Sequence, residues 1–272
     1  MAVTMAEISK LRTMTGAGMM DCKSALTEAE SDFDKAIEII RKKGQALAAK
    51  RSDREAFEGC VLAAADGGFA AVLALKCETD FVAKNGEFVA LTQSILDVVM
   101  ASKPGSLSEI SALPIGNQTI AELIVERIGV TGEKMELDFY EFVQGGTTTA
   151  YIHPGNKLAT IVAYAEEGVD AQVARDVAMQ AAAMNPVSLD RASVPAKLIE
   201  TELEVGREKA REEGKPEAML EKIAQGRLNK FYQDSTLVEQ AFIKDSKITV
   251  ADYLKANKAT ATAFKRVTLN QE

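Results

Sequence analysis

Two phrases far apart in the chain, Thr119-Ile120-Ala121-Glu122 and Thr249-Val250-Ala251-Asp252, match one for one in chemistry, and each opens a helical pattern. The surrounding order of elements repeats with them. The first copy reads as a strand over 59–65, a turn at Asp66-Gly67-Gly68 and a strand over 69–77. A long helix carrying Phe88, Leu91, Ile95 and Val98 follows, then the Thr119 helix and a strand over 135–143. The second copy reads as a strand over 148–152, a turn at His153-Pro154-Gly155-Asn156 and a strand over 157–165. A helix over 171–184, the Thr249 helix and a final strand over 264–269 complete it. A hairpin, helices and a returning strand, twice over, restrict the chain to an α+β fold of two related subdomains. Each has a small antiparallel sheet with helices on one face.

What lies outside the repeat is helical. Ile8, Leu11, Arg12 and Met14 fall on a first helix ending at Thr15-Gly16-Ala17-Gly18, and a second runs from Met19 to Ala29. Asp32 can cap a third, with Ala36, Ile37 and Ile40 inward, that stops near Gly44. Between Arg41 and Arg54, six basic residues face one acid, Asp53, which reads as a helix end followed by a solvated linker. In the second copy, residues 196–234 are an insertion. Ile199, Leu203, Gly206 and Ala210 form one stripe, and Leu220, Ala224, Leu228 and Phe231 a second after Gly214-Lys215-Pro216. Together they predict a protruding antiparallel coiled-coil hairpin. The expected divisions are 1–54, 55–146 and 147–272, the last containing the insertion.

Formal charge of −8 and an acidic isoelectric point of about 5.0 argue against broad capture of phosphate backbones, so the expected partner is protein and not nucleic acid. Cys22, Cys60 and Cys77 are too scattered for a metal pair and read as structural thiols. The single histidine, His153, sits in a turn with no nucleophile or second metal ligand near it. Gly16-Ala17-Gly18 follows no strand and completes no phosphate-binding motif, so it reads as an interhelical turn. No signal-type segment or membrane-length apolar run is present, which predicts a cytoplasmic chain without membrane association. No catalytic set, metal site or cofactor motif emerges, so the chain is expected to act by binding and not as an enzyme.

The junction Cys77-Glu78-Thr79-Asp80-Phe81-Val82-Ala83-Lys84 joins the apolar strand 70–75 to the helix carrying Phe88. Locally, Thr79 reads as an N-cap, Asp80 as a complement to the helix dipole, and Phe81 as a residue tucked into the core.

Three stretches together resemble bacterial elongation factor Ts: Leu11-Arg12 with Thr15 to Leu26, Cys77 to Lys84, and Gly214-Lys215-Pro216 followed by Glu221-Lys222 and Gly226-Arg227-Leu228. The first two are the more specific, and all occur in order over nearly the whole chain. The resemblance implies a ubiquitin-associated-like N-terminal three-helix domain, two related core subdomains and a coiled-coil insertion. It further implies guanine-nucleotide exchange on elongation factor Tu, met in its GDP-bound and nucleotide-free states. By the family pattern, Thr79, Asp80, Phe81 and Val82 enter the partner's nucleotide domain and dislodge its magnesium ion. Arg12, Met19, Met20 and Lys23 would touch that domain; Ile128-Gly129, in the first subdomain, is a further contact, and His153, in the second, would meet another domain of the partner. Many members continue past the last strand with an extra helical module; this sequence stops at Gln271-Glu272, and that contact is expected to be missing or replaced. The alternative is an adaptor that holds proteins together without altering a nucleotide site.

Overall fold

The computed structural model describes residues 3–270 and is α+β. In chain order it runs α1 (Met5–Thr15), α2 (Met19–Glu28), α3 (Phe33–Arg51), β1 (Glu58–Asp66), β2 (Phe69–Cys77), α4 (Asp80–Ala83), α5 (Gly86–Ser102) and α6 (Leu107–Ala112). Next come β3 (Pro114–Ile115), β4 (Gln118–Thr119), α7 (Ile120–Thr131), β5 (Met135–Gln144), β6 (Thr147–Ile152), β7 (Leu158–Tyr164) and α8 (Ala171–Met184). The chain ends with a 3-10 turn (Arg191–Ser193), α9 (Ala196–Glu212), α10 (Glu217–Ser235), β8 (Ala241–Phe242), β9 (Asp245–Thr249), α11 (Val250–Ala256) and β10 (Ala261–Thr268). Three-stranded sheets have the orders β1-β2-β5 and β10-β7-β6, and β3-β4 and β8-β9 are two-stranded ribbons. Two compact units result, one of residues 3–62, 73–140 and 269–270, the other of 63–72 and 141–268.

The repeated phrase is a helix start in both places. The hydroxyls of Thr119 and Thr249 accept from the N–H groups of Glu122 and Asp252, whose carboxylates bond back to the two cap residues. This reciprocal box satisfies helix-terminal donors that would otherwise face water or nothing.

In the first unit, α1 and α2 bury Ile8, Leu11, Cys22, Ala25 and Leu26 with Ala36 of α3. Gly16, at φ 69°, ends α1 in the left-handed conformation that lacks a steric cost for glycine. The expected stop of the third helix near Gly44 is wrong, because α3 continues to Arg51 and the basic run is helical. Gly44 marks a crossing instead. A Cβ there would lie 3.3 Å from the Val125 carbonyl oxygen of α7, and one at Gly129 would lie 3.0 Å from the Gly44 Cα. Two glycines face to face let α3 and α7 approach more closely than side chains allow.

In the second unit, β7 is buried at every residue and pairs antiparallel with both β6 and β10. α8 covers it, held by Thr160 Oγ1 to the Ala178 carbonyl at 2.8 Å and Tyr164 Oη to the Ala174 carbonyl at 3.0 Å. Val162, Val177, Ala181, Phe242, Val250 and Leu254 fill the core between them. α9 and α10 pack closely: a Cβ on Gly206 would lie 3.0 Å from the Ala224 Cα. Arg207–Glu221 (2.9 Å) and Arg211–Glu217 (3.0 Å) pair in antiparallel sense along the two helices.

Candidate functional site: the tip after β2

β2 is buried from Phe69 to Leu75 and delivers Cys77-Glu78-Thr79 to the start of α4. Thr79 is extended, at φ −122°, and its hydroxyl accepts from the Val82 N–H at 3.4 Å. α4 is a single turn of four residues. Asn85 closes it, donating its N–H to the Val82 carbonyl at 3.0 Å, and then caps α5 by accepting from the Glu87 N–H at 2.8 Å. A helix this short sits between two caps with no length of its own to stabilise it.

The single turn has room for few inward side chains. Ala83 takes the buried position, and Val82 lines a small cavity of about 50 Å³ with Phe88, Leu91 and Met135. Phe81 points out and is 85% exposed, so the local expectation that it tucks into the core is overturned. Asp80 beside it accepts from Lys84 Nζ at 2.6 Å, and that hydrogen bond and charge raise the lysine's pKa.

Behind the tip stand two carboxylates. Glu78 accepts from Arg54 Nη1 at 2.8 Å, from Arg51 Nη1 at 3.1 Å and from the Lys134 N–H at 2.6 Å. Burial pushes its pKa up, but the Lys134 N–H and the two guanidinium groups outweigh this and leave it below the usual carboxylate range. Glu133 accepts from the Thr79 N–H at 3.0 Å and from Thr79 Oγ1 at 2.6 Å. Neither pairing had a sequence signal. Glu133 stands 54 positions from Thr79, and the arginines read as linker charge.

The other expected contact residues lie apart from the tip. Arg12, Met19, Met20 and Lys23 are all exposed around the turn from α1 to α2, Met20 at 75%. That turn rests on α7: a Cβ at Gly16 would lie 3.5 Å from Arg127 Nη1. Ile128 is only 5% exposed and belongs to the core, so its side chain is not on the surface where a partner contact was expected. Its neighbour Gly129 is exposed and backs onto Gly44. His153, in the second unit, is exposed on the turn after β6, its Nδ1 3.1 Å from Tyr151 Oη. Among the described residues, no group of three His, Cys, Asp or Glu side chains is arranged to hold a metal, and no helix is long and apolar enough to cross a membrane.

The family model described as Elongation factor TS matches residues 78–271, a span that begins at the tip itself. The chain belongs to the elongation factor Ts family. An Elongation factor Ts from Porphyromonas gingivalis is 58% identical over 275 residues, covering all of both chains. One from Azobacteroides pseudotrichonymphae is 54% identical over 274 residues, again with full coverage of both. One from Parabacteroides distasonis is 53% identical over 275 residues, all of this chain and 83% of that one. The full-length matches extend the likeness to α1 and α2, which precede the family-model span. As an elongation factor Ts, the chain serves translation elongation, and nucleotide exchange is the family's known role.

Proposed function

We propose that this chain binds elongation factor Tu in its GDP-bound form and, through the Thr79–Val82 tip, loosens the partner's magnesium ion. GDP then leaves, the factor holds the nucleotide-free state, and GTP loads. The observation that carries the reading is Phe81, a large aromatic side chain held 85% exposed on a turn fixed from both ends. Leaving it in water forgoes roughly 1.5–3 kcal/mol of burial, which a pocket between partner helices would recover. Asp80 supplies a charge next to that wedge, able to rearrange hydrogen bonds around the metal's shell. Mg²⁺ bridges phosphate oxygens and protein ligands, so a small displacement of that shell weakens the whole site. The coupling is reciprocal: whatever factor by which this chain weakens GDP binding, GDP weakens binding of this chain, and incoming GTP completes the cycle.

Beyond the tip, the proposed contact surface takes in Arg12, Met19, Met20, Lys23 and Gly129, with Ile128 supporting Gly129 from within, and His153 against a separate domain of the partner. The finer architecture belongs to the same reading: a ubiquitin-associated-like bundle of α1–α3, two related subdomains, and a coiled-coil hairpin of α9 and α10. The test is the release rate of a fluorescent GDP from elongation factor Tu, alone and with the natural chain, Phe81→Ala or Asp80→Ala. The natural chain should accelerate release and both variants should bind yet lose rate. Binding without acceleration would sink exchange and leave an adaptor.

A further inference from the structure

We infer that Glu133 is a positioning residue for exchange: its carboxylate grips Thr79 and thereby sets the direction in which α4 presents Phe81. This rests on the tip reading proposed above.

The Thr79 hydroxyl has one proton and two lone pairs. The proton goes to Glu133 Oε1 at 2.6 Å, the length of a charge-assisted O–H···O⁻ bond. With the proton committed there, a lone pair is turned toward the Val82 N–H, the bond that caps α4. Glu133 Oε2 takes the Thr79 N–H as well, at 3.0 Å, so the cap residue is held at two atoms. An ordinary N-cap needs only its own side-chain oxygen. Here an acid 54 positions further along the chain orients the capping group as well.

Glu133 is itself fixed. Gly132 ends α7 at φ 76°, its N–H bonding the Ile128 carbonyl, and the Glu133 N–H donates to Thr131 Oγ1 at 3.2 Å. The next residue reverses the exchange of bonds, the Lys134 N–H donating to Glu78 at 2.6 Å. Residues 78–79 and 133–134 thus form a double clasp, and α4, a four-residue helix, takes its orientation from it.

The test compares the maximal GDP-release rate from elongation factor Tu and the half-saturating concentration for Glu133→Ala, Glu133→Gln, Thr79→Val, the Glu133→Ala/Thr79→Val double variant and Phe81→Ala. Amide hydrogen exchange of the free chains runs alongside. Glu133→Ala should lower the maximal rate about tenfold, equivalent to ~1.4 kcal/mol of barrier, with the half-saturating concentration nearly unmoved. Glu133→Gln, which keeps the volume and one acceptor oxygen, should fall between. Because both residues act through one linkage, the double variant should be no slower than the slower single. Exchange at Val82, Ala83 and Lys84 should quicken in Glu133→Ala while the centre of α5 stays protected, which also shows that the variant is folded. An unchanged maximal rate, losses that multiply, a loss confined to half-saturation, or unchanged protection of α4 would each overturn the proposal. If Phe81→Ala exchanges normally, the tip reading itself fails and the role given to Glu133 falls with it; slow Phe81→Ala beside normal Glu133→Ala refutes the clasp alone.

Discussion

Removing the Glu78 carboxylate should unsettle the base of the tip by a calculable amount. Three donors meet it: Arg54, Arg51 and the Lys134 N–H. The Arg54 side chain is 53% exposed and regains water when its partner goes, so it contributes little, as exposed ion pairs do. Arg51 is 22% exposed and already has an Nε without a partner, so its guanidinium is poorly placed to find another. The part-buried Lys134 amide loses its acceptor as well. A buried donor left unsatisfied costs ~1–3 kcal/mol; taking the lower part of that range, about 1–2 each, for two donors that are only partly buried, Glu78→Ala should cost about 2–4 kcal/mol. Glu78→Gln keeps an oxygen for the Lys134 N–H and loses the charge, so about 1–2 kcal/mol is expected for it. Urea denaturation at neutral pH measures both. The pH dependence has a definite sign. A carboxylate whose pKa is lowered on folding adds stability above its unfolded value of roughly 4.3, and that stability is lost as pH falls through the folded value. The gap between the natural chain and Glu78→Gln should therefore close below about pH 4. A cost for Glu78→Ala under ~0.5 kcal/mol, or a gap that persists in acid, would show that these bonds behave as a solvated surface pair.

Two helix-interior glycines of the α9–α10 pair should respond oppositely to alanine. Gly226 has nothing within 4 Å of its missing Cβ, so Gly226→Ala should stabilise by ~0.5–1 kcal/mol, whereas Gly206→Ala drives a methyl to 3.0 Å from the Ala224 Cα and should destabilise despite the same gain in propensity. Thermal unfolding decides it, and equal signs would refute the close packing. Asp176 is buried and accepts from Lys244 Nζ at 2.7 Å, Gln172 Nε2 at 2.6 Å and Tyr253 Oη at 3.0 Å. Asp176→Ala should therefore lower stability by roughly 2–4 kcal/mol in urea denaturation, against under ~0.5 for an exposed acid such as Glu167. The buried thiols of Cys22, Cys60 and Cys77 should react slowly with a thiol reagent in the native chain and rapidly in denaturant; a fast native thiol would contradict their burial.

Much of the secondary structure was legible because the signals were local. The turn at Asp66-Gly67-Gly68, the apolar run of β2 and the two capping boxes are written within a few residues each; the larger misses are the end of α3, the start of β10 and the helix after Thr79, which breaks into α4 and a separately capped α5. Gly44 misled because glycine has two meanings in a helix. As a conformational stop it would end α3; as an absence of side chain it lets Gly129 approach, and only the partner helix reveals which applies. Phe81 misled because a hydrophobic residue beside a cap usually turns inward, and the inward positions of this one-turn helix were already taken by Val82 and Ala83. The short helix α6 and the ribbons β3-β4 and β8-β9 were missed, being too brief to show a period.

The tip's support was illegible for a different reason: it is made of polar pairs that are distant in sequence. Nothing in Thr131-Gly132-Glu133-Lys134 distinguishes it from any polar turn, and nothing in Arg51-Ser52-Asp53-Arg54 points to Glu78. Yet α7 carries the glycine that seats α3, and the acid that grips Thr79 follows directly on the Gly132 that ends it. α3 in turn carries Arg51 to Glu78. The glycine crossing brings the two helices close, and from that pair Arg51 reaches Glu78 while Glu133 reaches Thr79. On the clasp proposal the direction of Phe81 is set from behind the tip, and Gly44→Ala, which pushes a methyl to 3.3 Å from the Val125 carbonyl oxygen, should lower the maximal GDP-release rate by the same route as Glu133→Ala.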